Sequence, residues 1–117
     1  MLSYTGSWYI SGQPEGYYNE TDHYTVSAGS EAQYTFNGTS ISWYGVKGFD
    51  HGKADVYIDG VLDATVDLYQ ETRAQQTLCY TKSGLTDGSH TITIVLRSDT
   101  NPLAEGNFVE VDFLQYY

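Results

Sequence analysis

The residues best suited to chemistry in this sequence are aromatic rings placed beside side chains that can hydrogen-bond hydroxyl groups. Trp43 and Tyr44 are followed within eight residues by Phe49, Asp50 and His51. Sugars present flat C–H faces rimmed by hydroxyl groups, so aromatic rings stack on the faces while carboxylate, amide or imidazole groups bond the rim. This pairing indicates a saccharide-binding surface.

Two further stretches repeat the combination. Tyr69 leads into a polar run that contains Arg73 and Gln76, and Tyr17 and Tyr18 stand together in a polar loop. Long loops on a rigid scaffold commonly carry binding residues. The candidate ligand-binding residues are therefore Tyr17, Tyr18, Trp43, Tyr44, Asp50, His51, Tyr69, Arg73 and Gln76.

Several of these residues also have a structural interpretation. Trp43 has the inward alternation phase of Ile41, so it is either a core residue or a ligand platform, whereas Tyr44 has the outward phase. Asp50 and His51 are either hydroxyl-binding groups or ordinary turn residues of a loop. These alternatives stay open at the level of the sequence.

Catalytic chemistry finds little support in the same sequence. A glycosidase needs two carboxylates roughly 5–10 Å apart across a cleft, but most of the aspartates in the middle of the chain fall on the solvent face of one predicted hairpin. No Gly-x-Ser-x-Gly nucleophile motif, phosphate-binding glycine loop or dinucleotide-binding motif occurs. We therefore expect the chain not to be an enzyme.

Thiol and metal chemistry are limited in a similar way. The single Cys79 excludes an internal disulfide and a multi-cysteine zinc site, and its alternating context predicts a small buried hydrophobe. His90 fits a hydrogen-bonded sheet residue better than a catalyst. Asp112 has the non-core phase of the last predicted strand, where it is a candidate ligand for a structural Ca²⁺ together with Glu110.

Length and charge exclude several classes of partner. The chain has 117 residues, which predicts a single domain over residues 1–117. Five Lys and Arg against fifteen Asp and Glu give a formal charge of −10, which argues against nucleic acid and anionic membrane as partners. The first residues show neither the basic nor the apolar region of a signal peptide, and no apolar run approaches the ~20 residues of a membrane span.

Short runs of period-two alternation, separated by turn signals such as Asp59-Gly60, predict an all-β fold. Without helices, this pattern predicts an antiparallel β-sandwich, specifically a jelly roll. On the last strand Val109 and Val111 should face the core, with Glu110 and Leu114 on the other face. The nine predicted strands are Ser7–Ile10, His23–Ser27, Ala32–Phe36, Ser40–Tyr44, Ala54–Ile58, Ala64–Tyr69, Gln75–Thr81, His90–Arg97 and Val109–Tyr116.

The hairpin at Asp59-Gly60 poses a register problem. A two-residue turn with regular pairing would set Val56 against Asp63 and bury a carboxylate. We therefore expect a β-bulge or an odd-length loop here, such as a three-residue loop. The apolar register requires three pairs: Ile58 with Leu62, Val56 with Ala64, and Ala54 with Val66.

Motifs along these strands resemble a known family. They include Tyr4-Thr5-Gly6-Ser7-Trp8, Ile41-Ser42-Trp43-Tyr44-Gly45 and Gly88-Ser89-His90-Thr91-Ile92. Along nearly its whole length the chain resembles the galactose-binding-domain-like β-sandwich modules appended to secreted bacterial glycoside hydrolases.

The resemblance implies a noncatalytic carbohydrate-binding module, monomeric and exported, that keeps an attached enzyme near polysaccharide. We expect plant cell-wall β-glucan or a related hemicellulose as the ligand, bound by loops at one end or by the concave sheet face. The resemblance also implies a structural Ca²⁺, with Asp112 at the matching position. The alternative function is a structural or protein-adhesion domain of a bacterial cell-surface protein, in which the aromatic residues bury against a partner.

Overall fold

The computed structural model describes residues 3–5, 9–12, 22–25, 27–111 and 113–117, with side chains for residues 25, 27–74, 77–111 and 114–117. This part of the chain consists of strands, turns and loops, and no helix that could span a membrane occurs in it. The strands are β1 (Ser3–Thr5), β2 (Tyr9–Gly12), β3 (Asp22–Thr25), β4 (Glu31–Gly38), β5 (Ile41–Lys47), β6 (Lys53–Ile58), β7 (Val61–Asp67), β8 (Ala74–Lys82), β9 (Gly88–Leu96), β10 (Val109–Val111) and β11 (Phe113–Tyr116).

The strands pair into three antiparallel sheets around one core. A five-stranded sheet has the order β1-β4-β9-β6-β7, and two three-stranded sheets have the orders β10-β3-β2 and β11-β5-β8. A single apolar cluster contains Val56 and Ile94 from the large sheet together with Trp43, Val109 and Leu114 from the two small ones. The sheets therefore enclose the core between them, which confirms the predicted β-sandwich.

Each predicted strand overlaps an observed strand, but the last one is divided in two. β10 pairs with β3, whereas β11 pairs with β5. Because the chain changes partner here, the alternation of side chains does not continue from one strand to the other. Val109 and Val111 are buried as predicted, but the predicted exposure of Glu110 and Leu114 is wrong, since both are buried. Leu114 lies beyond the change of partner, whereas Glu110 keeps its place opposite Val109 and Val111 on β10 and is covered there by His51.

The β6–β7 hairpin turns through two residues rather than three. Ile58 faces Val61 across Asp59 and Gly60, so the predicted pairing of Ile58 with Leu62 is wrong. Both turn residues have positive φ, 53° and 80°, a geometry whose twist matches that of the flanking strands. The other two predicted pairs are present: Val56 with Ala64, and Ala54 with Val66.

A β-bulge at Asp63 reconciles the two-residue turn with the apolar register. The register shifts beyond Val56, and Asp63 is left without a cross-strand partner. Its carboxylate instead accepts hydrogen bonds from the Tyr80 hydroxyl (2.6 Å) and the Lys82 ammonium (3.0 Å). Both donors lie on β8, in the three-stranded sheet β11-β5-β8. The predicted bulge is confirmed, and it places the partly exposed Asp63 carboxylate where Tyr80 and Lys82 satisfy it.

His90 is a hydrogen-bonded sheet residue, as the sequence predicts. Its Nδ1 lies 2.6 Å from Asp59 Oδ2 and its Nε2 lies 2.5 Å from the Thr86 carbonyl oxygen. The Asp59 hydrogen bond, supported by the Thr86 carbonyl, raises the pKa of His90 above 6.5, because a protonated ring donates to both acceptors. The His90 hydrogen bond and the Thr91 N–H together hold the pKa of Asp59 below 3.8.

These pKa shifts predict that the stabilising contribution of His90 is lost at alkaline pH. A histidine with a raised folded pKa contributes its stabilisation fully below about pH 6.5 and loses it as the pH rises through the folded value. The lowered pKa of Asp59 acts at the other end, where its contribution is lost as the pH falls through the folded value. Between about pH 5 and pH 9, the midpoint of thermal unfolding should fall more steeply for the wild type than for His90→Asn.

Asp59→Asn removes the other partner of this hydrogen-bonded pair. Asparagine tolerates the positive φ at this position, so the substitution removes the charge and keeps the turn. It should flatten the same alkaline slope as His90→Asn. Parallel pH curves for all three proteins would contradict the assignment of the slope to His90 and Asp59.

Candidate functional site at the 48–52 loop

Three loops meet at one end of the sandwich: the β5–β6 loop, the segment that follows β7, and the segment that precedes β10. The Gly48 N–H donates to the Leu68 carbonyl oxygen at 3.1 Å, which joins the first two. The Gly52 N–H donates to the Phe108 carbonyl oxygen (2.9 Å), and the Phe108 N–H donates to the Asp50 carbonyl oxygen (3.1 Å). Backbone hydrogen bonds thus hold the candidate residues of the β5–β6 loop in a defined position.

Glycine residues permit this close packing of loops. A Cβ atom at Gly106 would lie 2.9 Å from the Asp50 carbonyl oxygen, and one at Gly52 would lie 3.0 Å from the Asn107 Cα. Any larger residue at these positions would push the segment before β10 away from the β5–β6 loop. The glycines therefore set the distance between the two segments.

The loops bring together two carboxylates, a histidine and an arginine. His51 Nδ1 lies 2.9 Å from Asp50 Oδ1, and His51 Nε2 lies 3.2 Å from Glu110 Oε1. Arg73 Nη2 donates to the same Glu110 oxygen at 3.3 Å, and Arg73 Nη1 lies 3.8 Å from Asp50 Oδ1. We call these four residues the loop-end network.

Exposure divides the loop-end network into an inner and an outer part. His51 is completely buried and the Glu110 side chain is 6% exposed, whereas the side chains of Asp50 and Arg73 are 24% and 42% exposed. A buried carboxylate is tolerated only when it is paired and hydrogen-bonded. The buried pair, His51 and Glu110, therefore holds Asp50 and Arg73 in position at the surface.

Two of the sequence-predicted ligand-binding residues are buried. Trp43 is completely buried, and its indole N–H donates to the Glu110 carbonyl oxygen at 3.1 Å, so the ring is a core residue with no face for a ligand. His51 is also completely buried, and both of its ring nitrogens contact carboxylates of the loop-end network. It positions Asp50 and does not reach solvent.

The predicted ring of Tyr69 and a further ring, that of Phe49, remain at the surface of this end. Phe49 is 42% exposed and precedes Asp50, while Tyr69 is half-buried and pairs with Gly48 through an isolated bridge. Within the described part of the chain, the Oδ2 atom of Asp50 has no hydrogen-bond partner. Two aromatic rings thus lie on the loops that also present a free carboxylate oxygen and the Arg73 guanidinium.

The remaining predicted residues fall elsewhere. Tyr44 lies on the outer face of β5, opposite Leu78 on β8, and is not part of the loop-end network. Tyr17, Tyr18 and Asp112 lie outside the described residues, as does the side chain of Gln76. Among the residues whose side chains are described, no three of His, Cys, Asp and Glu form a group that could hold a metal ion.

Two residues of the site were missed by the sequence-based selection. Phe49 adjoins Asp50 in a loop, and that position would have supported its inclusion. Glu110 was predicted only as a partner of Asp112 in a calcium site, because regular alternation placed it on the solvent face. Its side chain lies on the face of β10 opposite Val109 and Val111, and the loop end covers that face, where the carboxylate contacts His51 and Arg73.

Comparison with known proteins shows the family to which the chain belongs. The sequence matches the family model of the carbohydrate esterase 2 N-terminal domain over residues 16–113. It is 38% identical over 115 residues to the A type blood N-acetyl-alpha-D-galactosamine deacetylase of Flavonifractor plautii, an alignment that covers 98% of this chain and 14% of that protein. The chain therefore spans only a small part of the length of this curated relative.

Solved structures with the same fold include a family two carbohydrate esterase from Clostridium thermocellum in complex with cellohexaose. That likeness has a TM-score of 0.62 at 17% identity and covers 100% of this chain and 31% of the esterase. The carbohydrate-binding module CBM36, solved with calcium and xylotriose, matches with a TM-score of 0.54 at 19% identity, covering 100% of this chain and 99% of the module. With the family model matching most of its length, the chain belongs to the carbohydrate esterase 2 N-terminal family and has the β-sandwich fold of carbohydrate-binding modules.

Proposed function

We propose that the chain is a noncatalytic module that binds neutral glycans at the loop end and belongs to a larger, exported carbohydrate-active enzyme. The observation that carries the proposal is the juxtaposition of exposed Phe49 and half-buried Tyr69 with Asp50 and Arg73. Rings of this kind stack on sugar faces, and the carboxylate and guanidinium bond the surrounding hydroxyl groups. The likeness to a carbohydrate-binding module along the full chain supports the noncatalytic role.

The proposed ligand is β-glucan or a related hemicellulose. Fold relatives solved with cellohexaose and xylotriose support a linear polysaccharide of this kind. The formal charge of −10 disfavours polyanionic glycans such as pectate. The Flavonifractor relative supports a second ligand class, glycans that contain N-acetylgalactosamine, since that protein is named as an N-acetyl-alpha-D-galactosamine deacetylase.

A glycan panel tests the proposal and the role of the two rings. We expect wild-type protein to be retained on one neutral glycan class. Phe49→Ala and Tyr69→Ala should each weaken that binding about tenfold, because a lost stacking contact removes on the order of 1–1.5 kcal/mol. Affinity electrophoresis in gels that contain β-glucan, xylan or an N-acetylgalactosamine-bearing polymer measures the effect.

Tyr117→Ala is the matched control, because the Tyr117 side chain is 71% exposed and lies outside the loop end. It should bind like the wild type. Retention on no glycan would contradict the proposal and favour the protein-adhesion alternative. The exposed large apolar residues on five separate parts of the described chain would then be the first surfaces to examine; they are Phe49, Val61, Leu62, Leu78, Leu103, Tyr116 and Tyr117.

The structural calcium remains a prediction that depends on Asp112. In the described part of the chain, Glu110 does not support it, because the Glu110 carboxylate contacts His51 and Arg73. The calcium present in the CBM36 structure supports the ion at the level of the fold. Repeating the glycan panel and thermal unfolding with a chelator decides the point, since unchanged binding and stability would remove calcium from the site and the fold.

A further inference from the structure

A groove crosses the outer face of the five-stranded sheet, separate from the loop end. Its volume is about 380 Å³, and the residues that line it are Glu31, Gln33, Tyr57, Gly60, Thr93 and Val95. Tyr57 lies four residues beyond Lys53 on β6, roughly 13 Å along the strand from the end that joins the 48–52 loop. The groove is therefore a different surface from the loop-end network.

Strand register places the groove residues side by side. Gln33 on β4 and Tyr57 on β6 both pair with Thr93 on β9, which makes one row across three strands. Glu31 pairs with Val95 in the next row on the same face, since residues two apart share a face of a strand. The intervening residues of β4 and β9 are buried in the core. The sheet thus holds these side chains on a rigid scaffold.

The polar groups of the groove are less completely paired than their neighbours on the same face. Outside the groove, Asp55 accepts hydrogen bonds from Thr65 (2.7 Å) and Arg97 (3.0 and 3.1 Å). Thr35 and Thr91 bond one another at 3.0 Å. The polar side chains that surround the groove therefore satisfy each other and offer little to a ligand.

Inside the groove, hydrogen-bonding capacity is left over. Gln33 Nε2 donates to Thr93 Oγ1 at 3.2 Å, which orients the amide and leaves its carbonyl oxygen for another donor. Among the residues whose side chains are described, neither the Tyr57 hydroxyl nor the Glu31 carboxylate has a hydrogen-bond or ion-pair partner. A half-buried ring beside three available polar groups in a concave surface is suited to a sugar.

We infer that this groove is a second saccharide-binding subsite, in which Tyr57 stacks on a sugar ring while Gln33 and Glu31 accept hydrogen bonds from its hydroxyl groups. The inference rests on the proposed function, since it assigns a second surface to the same class of ligand. The Glu31 carboxylate selects neutral sugars and repels uronic acids. Two subsites on one module strengthen attachment to a polymer beyond the affinity of either one.

Cellohexaose titrated into isotopically labelled protein tests the second subsite directly, with N-acetylgalactosamine as the probe if the panel selects that class. We expect amide resonances of residues 31–33, 57 and 93–95 to shift as a group, separately from those of residues 48–52. Tyr57→Ala should weaken the affinity measured from the first group of shifts about tenfold and leave the affinity measured from the second group unchanged. Phe49→Ala should do the reverse, and Tyr117→Ala should change neither.

Glu31→Gln keeps the size of the side chain and provides a variant with little effect on folding. It should weaken binding of the neutral probe by less than Tyr57→Ala does, because the amide keeps one acceptor oxygen but loses the charge, and it should reduce the discrimination against a glucuronic-acid-containing oligosaccharide. If ligand shifts occur only around residues 48–52 and Tyr57→Ala binds as the wild type does, the second subsite is wrong and the proposed function stands. If the wild type shows no shifts with either probe, both are wrong.

Discussion

Replacing Trp43 with alanine is expected to lower the free energy of unfolding by about 3–5 kcal/mol, the range measured when large aromatic side chains are removed from protein cores. Trp43 is completely buried at the centre of the apolar cluster that joins the sheets. Its loss also removes the hydrogen bond to the Glu110 carbonyl oxygen. Since the whole stability of a domain is about 5–15 kcal/mol, Trp43→Ala should be close to unfolding at room temperature, as denaturant titration would measure.

Trp43→Phe separates packing from the hydrogen bond. Phenylalanine keeps most of the apolar contact but leaves the Glu110 carbonyl oxygen without its indole donor, so we expect a loss of about 1–3 kcal/mol. Glycan binding by the folded fraction should stay at the wild-type level. A Trp43→Phe variant with unchanged stability and abolished binding would show instead that the indole ring contacts the ligand.

Alternation of side chains predicted most of the sandwich, because a strand with one buried face has apolar and polar residues in alternation. The β6–β7 hairpin shows how far such reasoning reaches. The conflict between a two-residue turn and the position of Asp63 required an irregularity, and the structure has a bulge at that residue. The place of the bulge could not be predicted, because a longer loop would have relieved the same conflict.

The candidate site was less predictable because its geometry depends on contacts between segments distant in sequence. Phase alone left Trp43 undecided between core and surface, and the deciding contact with Glu110 spans 67 residues. His51 has no alternation phase within its loop, and its burial follows from the segment around Phe108 that packs over it. Residue types therefore predicted the chemistry of this end, while tertiary packing determined which residues face solvent.

The second large effect is expected at Glu110, whose carboxylate joins the inner and outer parts of the loop-end network. Glu110→Ala should cost about 3 kcal/mol, because it leaves His51 and Arg73 facing a buried position without the anion that both contact. Removing one member of a buried charged group is strongly destabilising even where the whole group contributes little. Denaturant titration measures the loss, and the affinity for glycan should fall as well, since Asp50 loses the contacts that orient it through His51.

Arg73→Ala is the control that distinguishes a buried network from a surface ion pair. The Arg73 side chain is 42% exposed, so its contribution is screened by solvent and should be within about 1 kcal/mol. Glu110→Gln, which keeps the size and one acceptor oxygen, should lie between the two substitutions. Added salt should weaken the Arg73 contribution and leave that of Glu110 nearly unchanged, because screening acts on exposed charges. Equal, small effects of Glu110→Ala and Arg73→Ala would mean that this end is held by its backbone hydrogen bonds alone, and Phe49 and Tyr69 would then be the residues that determine binding.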